Sequence, residues 1–181
     1  ASFSPDGKKI VTASEEGTAK LWDAQSGVLL FDLSGHKESL SSAFFSPACP
    51  GDPIGGKKIV TTSFDSTIKI WDTETGVLLL DLKGHEGPIY NASFSADGQM
   101  IITASWDRVA KIWDAKRGSL LADLKGHSSG AWDATYSFDG KKIVVTSGNN
   151  TATIWNAQNG RLLFDIKGHT GWIGSARFSP D

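Results

Sequence analysis

Cysteine is almost missing from this sequence. A single residue, Cys49, among 181 excludes an internal disulfide framework and any zinc site built on cysteine pairs. An excess of one charge is missing too. With 18 Lys and Arg against 20 Asp and Glu, the net charge is −2, too little to steer nucleic acid or an anionic membrane toward the chain. Apolar runs stop at four residues, as in Val77–Leu80, far short of the about 20 that a membrane-spanning helix needs. No window carries a helical period of apolar residues. What remains is 39% apolar residues, 20 Gly and 7 Trp, enough to bury a core and too apolar for disorder.

The opening residues, Ala1-Ser2-Phe3-Ser4-Pro5-Asp6-Gly7, read as the end of a strand and a turn rather than as a secretion signal. Sequence upstream is therefore expected, and a cytoplasmic location is the default expectation.

An internal repeat dominates the chain. Gly-His occurs at Gly35-His36, Gly84-His85, Gly126-His127 and Gly168-His169. Trp followed by Asp or Asn occurs at Trp22-Asp23, Trp71-Asp72, Trp113-Asp114 and Trp155-Asn156. Both series are spaced by 49, 42 and 42 residues, the longer interval coming from a seven-residue insertion, Ala48–Ile54. Aligned without gaps, Gly56–Asp97 and Gly98–Asp139 share 20 identities in 42 positions. Each unit predicts four short strands, typified by Ile89–Phe94, Met100–Ser105, Ala110–Trp113 and Leu120–Leu124. They are rich in β-branched residues and punctuated by Gly and Asp-Gly, an all-β signature.

These co-registered units resemble the WD40 family of β-propellers, over essentially the whole chain. The resemblance implies four four-stranded blades at roughly 1–34, 35–83, 84–125 and 126–167, with 168–181 a closing inner strand. It also implies a half-ring or fragment, completed to about eight blades by a second copy as a homodimer or by further sequence. Closure of four blades on themselves ranks last. The final Ala176-Arg177-Phe178-Ser179-Pro180-Asp181 repeats Ala1–Asp6 with one change.

His, Ser and Asp recur together, so a catalytic triad has to be weighed. The sets are His36, Ser63, Asp65 and Trp71; then His85, Ser105, Asp107 and Trp113; then His127, Ser147, Asn149 and Trp155. Catalysis needs one distinctive constellation, whereas this one recurs in every unit. The family resemblance implies a buried hydrogen-bond network within each blade. A buried polar group left unpaired costs about 1–3 kcal/mol. The carboxylate is expected to favour His protonation. The first unit has Ser14, Glu16 and Trp22 but no preceding Gly-His, and His169 is the leftover histidine; across two copies, His169 would serve Ser14 and Trp22. Asn149 cannot carry charge, so its network is expected to be the weaker. No catalytic residue, metal or cofactor is expected.

Three Trp lie outside this pattern: Trp106, Trp132 and Trp172. By the resemblance, they join Phe64 and Tyr90 on the face of the disc that meets partners. With Arg108 these residues form the candidate partner-binding set, and Asp133 and Glu15 are expected on its rim. The bland alternative is that some of the rings fold inward to cap the central channel or pack on each other. The function expected is a non-catalytic scaffold for a protein or peptide, or else a lectin-like propeller for a carbohydrate or small ligand. The Lys pairs at Lys8, Lys57 and Lys141 are balanced by acids, so no nucleic-acid partner is expected, nor a membrane.

Overall fold

A computed structural model describes residues 1–49 and 55–180. Among the described residues there are 16 strands and no helix, arranged as four antiparallel sheets. The first holds β1 (Ser2–Phe3), β2 (Lys9–Ala13), β3 (Thr18–Asp23) and β4 (Leu29–Ser34). The second holds β5 (Leu40–Phe45), β6 (Lys58–Ser63), β7 (Thr67–Asp72) and β8 (Leu78–Lys83). The third holds β9 (Ile89–Phe94), β10 (Met100–Ser105), β11 (Val109–Asp114) and β12 (Leu120–Lys125). The fourth holds β13 (Ala131–Tyr136), β14 (Lys142–Ser147), β15 (Thr151–Asn156) and β16 (Leu162–Ile166). Within each sheet every strand pairs with the next in sequence.

The turns show why these residue types recur. The Asp of each Trp-Asp caps the turn into the fourth strand. Asp72 Oδ1 accepts the N–H of Glu74 (3.0 Å) and of Thr75 (2.8 Å). Asn156 accepts the N–H of Gln158 and Asn159 in the same way, so an uncharged residue serves there equally. The turn between first and second strands is tied by a serine. Ser95 Oγ donates to Asp97 at 2.6 Å and accepts the Met100 N–H at 2.9 Å. Gly84, of a Gly-His pair, has φ +149°, and a Cβ there would lie 3.2 Å from the Trp113 ring. Only glycine combines that backbone with that approach.

Burial follows position in the sheet. The two middle strands are covered on both faces, as in Ile101, Ile102, Thr103, Ala104 and Ser105, all fully buried. The fourth strand is an outer edge that buries one side chain: Leu33, Leu82 or Leu124. Apolar faces of neighbouring sheets make the core. Val60, Ile68, Ile70 and Leu82 of the second sheet pack on Ile89, Ala92, Ile101 and Trp113 of the third. The same positions join first to second sheet, and third to fourth.

The expected closing inner strand is not formed. Residues 167–180 carry no strand; instead Ile173, Ala176 and Phe178 lie on Val144, Ala152 and Ile154 of the last sheet. Among the described residues, that segment and no further sheet lies against this apolar face. The insertion Ala48–Ile54 joins β5 to β6, and its residues 50–54 fall outside the described residues.

Candidate binding face

Beneath the face that carries the unassigned aromatics lies a relay of buried hydrogen bonds, most complete in the third sheet. Trp113 Nε1 donates to Thr103 Oγ1 at 2.9 Å. The same hydroxyl meets His85 Nε2 at 2.7 Å, and His85 Nδ1 meets Asp107 Oδ2 at 2.7 Å. Asp107 also accepts the N–H of Glu86 and Val109, both at 3.0 Å, which locks the Gly-His loop to the turn between β10 and β11. Burial alone works to raise the Asp107 carboxyl. The His85 hydrogen bond and the backbone donors outweigh it and hold the group at about 2. The second sheet repeats the design. Trp71 donates to Thr61 (2.9 Å), Thr61 meets His36 Nε2 (2.9 Å), and His36 Nδ1 meets Asp65 Oδ2 (3.1 Å). There Asp65 sits at about 2, burial again being outweighed, in this case by Thr67 and two backbone N–H groups.

The bridging hydroxyl is therefore threonine, not the expected serine. Ser63 and Ser105 accept the N–H of Asp65 and Asp107 and donate to the carbonyls of Glu38 and Gly87, so they fix the turn. Thr12, Thr61 and Thr103 each stand ten residues before their Trp, a signal that was present in the sequence. His36 is also shifted down rather than up, because burial outweighs the Asp65 carboxylate.

The outer sheets depart from the design. In the first, Trp22 donates to Thr12 (2.9 Å), but no imidazole reaches that hydroxyl, and Ser14 only accepts the N–H of an exposed Glu16. His169 is exposed. In the fourth, Val145 stands where the threonine should be, and Trp155 turns to Thr153 at 2.8 Å. Asn149 accepts the hydroxyls of Ser147 and Thr151 and donates to Ser128 (2.7 Å). His127 is 7% exposed, and among the described residues neither ring nitrogen has a partner. Burial lowers its pKa.

Above this lies the aromatic set. Its five rings form one unbroken series. Phe64 and Tyr90 have centroids 5.7 Å apart, Tyr90 and Trp132 4.4 Å, Tyr90 and Trp106 6.4 Å, Trp106 and Trp132 6.0 Å, and Trp132 and Trp172 5.1 Å. Most of these contacts are edge-to-face, the favoured arrangement of ring quadrupoles. Packing and exposure coexist: Phe64 is 40% exposed, Trp106 53% and Trp172 68%. Gly148 replaces the aromatic residue in the fourth unit, and a Cβ there would lie 2.9 Å from Trp132 Nε1, so its bareness admits that indole. Arg108 is exposed beside Trp106 with φ +69°, a left-handed backbone that costs an arginine about 1–2 kcal/mol. It borders a polar hollow of 510 Å³ lined by Glu86, Trp106, Arg108, Ser128 and Ser129. Asp133, expected on the rim, is instead buried, accepting from Asn91 and Arg177.

Four stacked antiparallel sheets, each with a Trp-Asp or Trp-Asn at the end of its third strand and a Gly-His after its fourth, define a WD-repeat β-propeller array. The family model "WD domain, G-beta repeat" (WD40) matches residues 1–23, 27–72, 76–114 and 118–156, and the chain belongs to that family. Past the first, each match runs from the fourth strand of one sheet through the third strand of the next. WD40 repeats mark protein-interaction scaffolds, and the family is generally non-catalytic. The chain is similar to Denticleless protein homolog B of Xenopus laevis and to Denticleless protein homolog of Xenopus tropicalis. Each is 50% identical over 42 residues, which is 23% of this chain and 6% of the relative's length. Among the described residues, no helix is long and apolar enough to cross a membrane, and no group of His, Cys, Asp and Glu could hold a metal ion.

Proposed function

We propose that this array is a non-catalytic recognition module that captures a protein or peptide on its aromatic face. Phe64, Tyr90, Trp106, Arg108, Trp132 and Trp172 form the contact set. The observation that carries the reading is the unbroken series of five rings with three of them 40–68% exposed. Aromatic anchors next to a polar hollow suit a peptide, whose apolar side chains need a plate and whose main chain needs donors and acceptors. The His–Asp pairs do not suggest chemistry. Each His Nε2 is occupied by a threonine, and each nearby serine is tied to backbone.

A displayed random-peptide library tests this, with a glycan array in parallel. Peptides enriched on the chain should lose about 30-fold or more in affinity on the variant carrying Trp106→Ala and Trp172→Ala, with its unfolding midpoint unchanged. Failure to enrich any peptide, or binding confined to glycans, overturns the reading.

A further inference from the structure

We propose, building on the recognition role above, that the peptide captured by the aromatic face is basic, and that the cation of one of its lysine or arginine side chains seats between Trp106 and Glu86.

The seat is the polar hollow between the β10–β11 turn and the loop from β12 to β13. One wall is aromatic. Trp106 is 53% exposed, and its ring lies against bare backbone at Gly130, where a Cβ would fall 3.0 Å from Cε3. The indole is held there and still lines the hollow. A cation is drawn to the negative face of such a ring. The other walls are rich in oxygen. Glu86 and Asp107 bring carboxylates, Ser128 and Ser129 bring hydroxyls, and Arg108 is the one base among the lining residues.

The two carboxylates differ. Asp107, held at about 2, stays ionised, but its oxygens are taken by His85 and by the N–H groups of Glu86 and Val109. The Glu86 side chain is exposed and, among the described residues, has neither an ion pair nor a hydrogen bond. Arg108 pairs with neither carboxylate among the described residues. A free carboxylate beside an open indole, edged by hydroxyl acceptors, suits a cation on a flexible stem. An anion in the same place would meet two carboxylates and one guanidinium.

The charge of the whole face has the same sign. The near-zero net charge of the chain hides a separation between the two ends of the sheets. The loops that join second to third strands, and fourth strands to the next sheet, carry Glu15, Glu16, Glu38, Asp65, Glu86 and Asp107 against Lys37 and Arg108. The turns at the other end carry Lys8, Lys57, Lys116, Arg117, Lys141 and Arg161 against five acids. Four of the five Glu therefore stand at the aromatic end. All four are exposed and without an ion pair among the described residues, whereas Glu74, at the other end, holds Lys9 at 2.6 Å. A negative potential over the rings steers a basic peptide toward them and repels an acidic one.

A displayed random-peptide library provides the probe. Peptides enriched on the chain should share a Lys or Arg, and replacing that residue by Met in the synthetic peptide should lose about tenfold in affinity. A double-mutant cycle then places the contact. Glu86→Gln should weaken the parent peptide about tenfold and the Met peptide less than about twofold, with no change in the unfolding midpoint. Glu74→Gln, at the opposite end, should alter neither affinity. Enrichment of acidic or uncharged peptides, or equal losses of both peptides on Glu86→Gln, overturns the basic partner and leaves the recognition role standing. Failure to enrich any peptide overturns both.

Discussion

The third and fourth sheets share a fold and a strand register but differ in how they satisfy a buried histidine. His85 has a threonine on one ring nitrogen and a carboxylate on the other. His127 is equally buried and has neither, because Val145 and Asn149 stand at the two partner positions. The indole next to it found another hydroxyl, Thr153, and the asparagine found serine and threonine. Of these three groups, the imidazole is the one left without a partner among the described residues. The sheet therefore forms from strand pairing and apolar packing, and the relay adds stability and loop order on top of that. The relay is a refinement of the sheet, not its cause.

Substituting the two histidines separates the cases most sharply. His85→Phe strands the Asp107 carboxylate in a buried site and should cost about 3 kcal/mol. His127→Phe removes two unpaired nitrogens and should change stability by less than about 1 kcal/mol in either direction. Denaturant titration of both variants reads the difference, and equal losses would show that the imidazole of His127 is satisfied after all. A smaller effect is expected from repair. Val145→Thr together with Asn149→Asp restores both partners of His127 and should add about 1–2 kcal/mol. Hydrogen exchange should then slow at the β14–β15 turn.

The smallest effect is in the pH dependence. His127 is held below the ordinary histidine value of 6.5 by burial. Below 6.5 the unfolded chain takes up the proton first, so stability is intact above that value and declines as pH falls toward the folded-state value. His36 contributes in the same sense, its burial only partly offset by Asp65. His127→Phe should flatten part of this slope in midpoints measured from pH 7 to pH 5. At lower pH, Asp65 and Asp107 take over. Their folded-state values near 2 lie below the ordinary 3.8, so their stabilisation is full above 3.8 and disappears as pH falls through about 2.

Much of the architecture was legible in the sequence because it depends on local chemistry. Gly-His, Asp-Gly and Trp-Asp are turn and cap residues, and their spacing alone sets four strands per unit. The third strand came out as Val109–Asp114 against a predicted Ala110–Trp113. The threonine of the relay was hidden because Thr61 and Thr103 look like ordinary β-branched strand residues. Their role depends on which face of the pleat meets the histidine loop. Asp133 was misplaced for a different reason: Arg177, which reaches it, lies 44 residues away in sequence, and no local pattern carries that contact. The aromatic set was legible as residues outside the repeat, with an exposed face and mutual packing as the two alternatives; the structure shows the rings in mutual contact with three of them still exposed.

The stagger between family repeat and sheet has a consequence for how such a chain can grow. The unit that is copied and the unit that folds are out of step by one strand. A newly inserted copy therefore lends its leading strand to an older neighbour and borrows one from the next. No copy can drift away as an independent domain, and an array can lengthen or shorten by 42 residues without leaving a seam where one module ends and another begins.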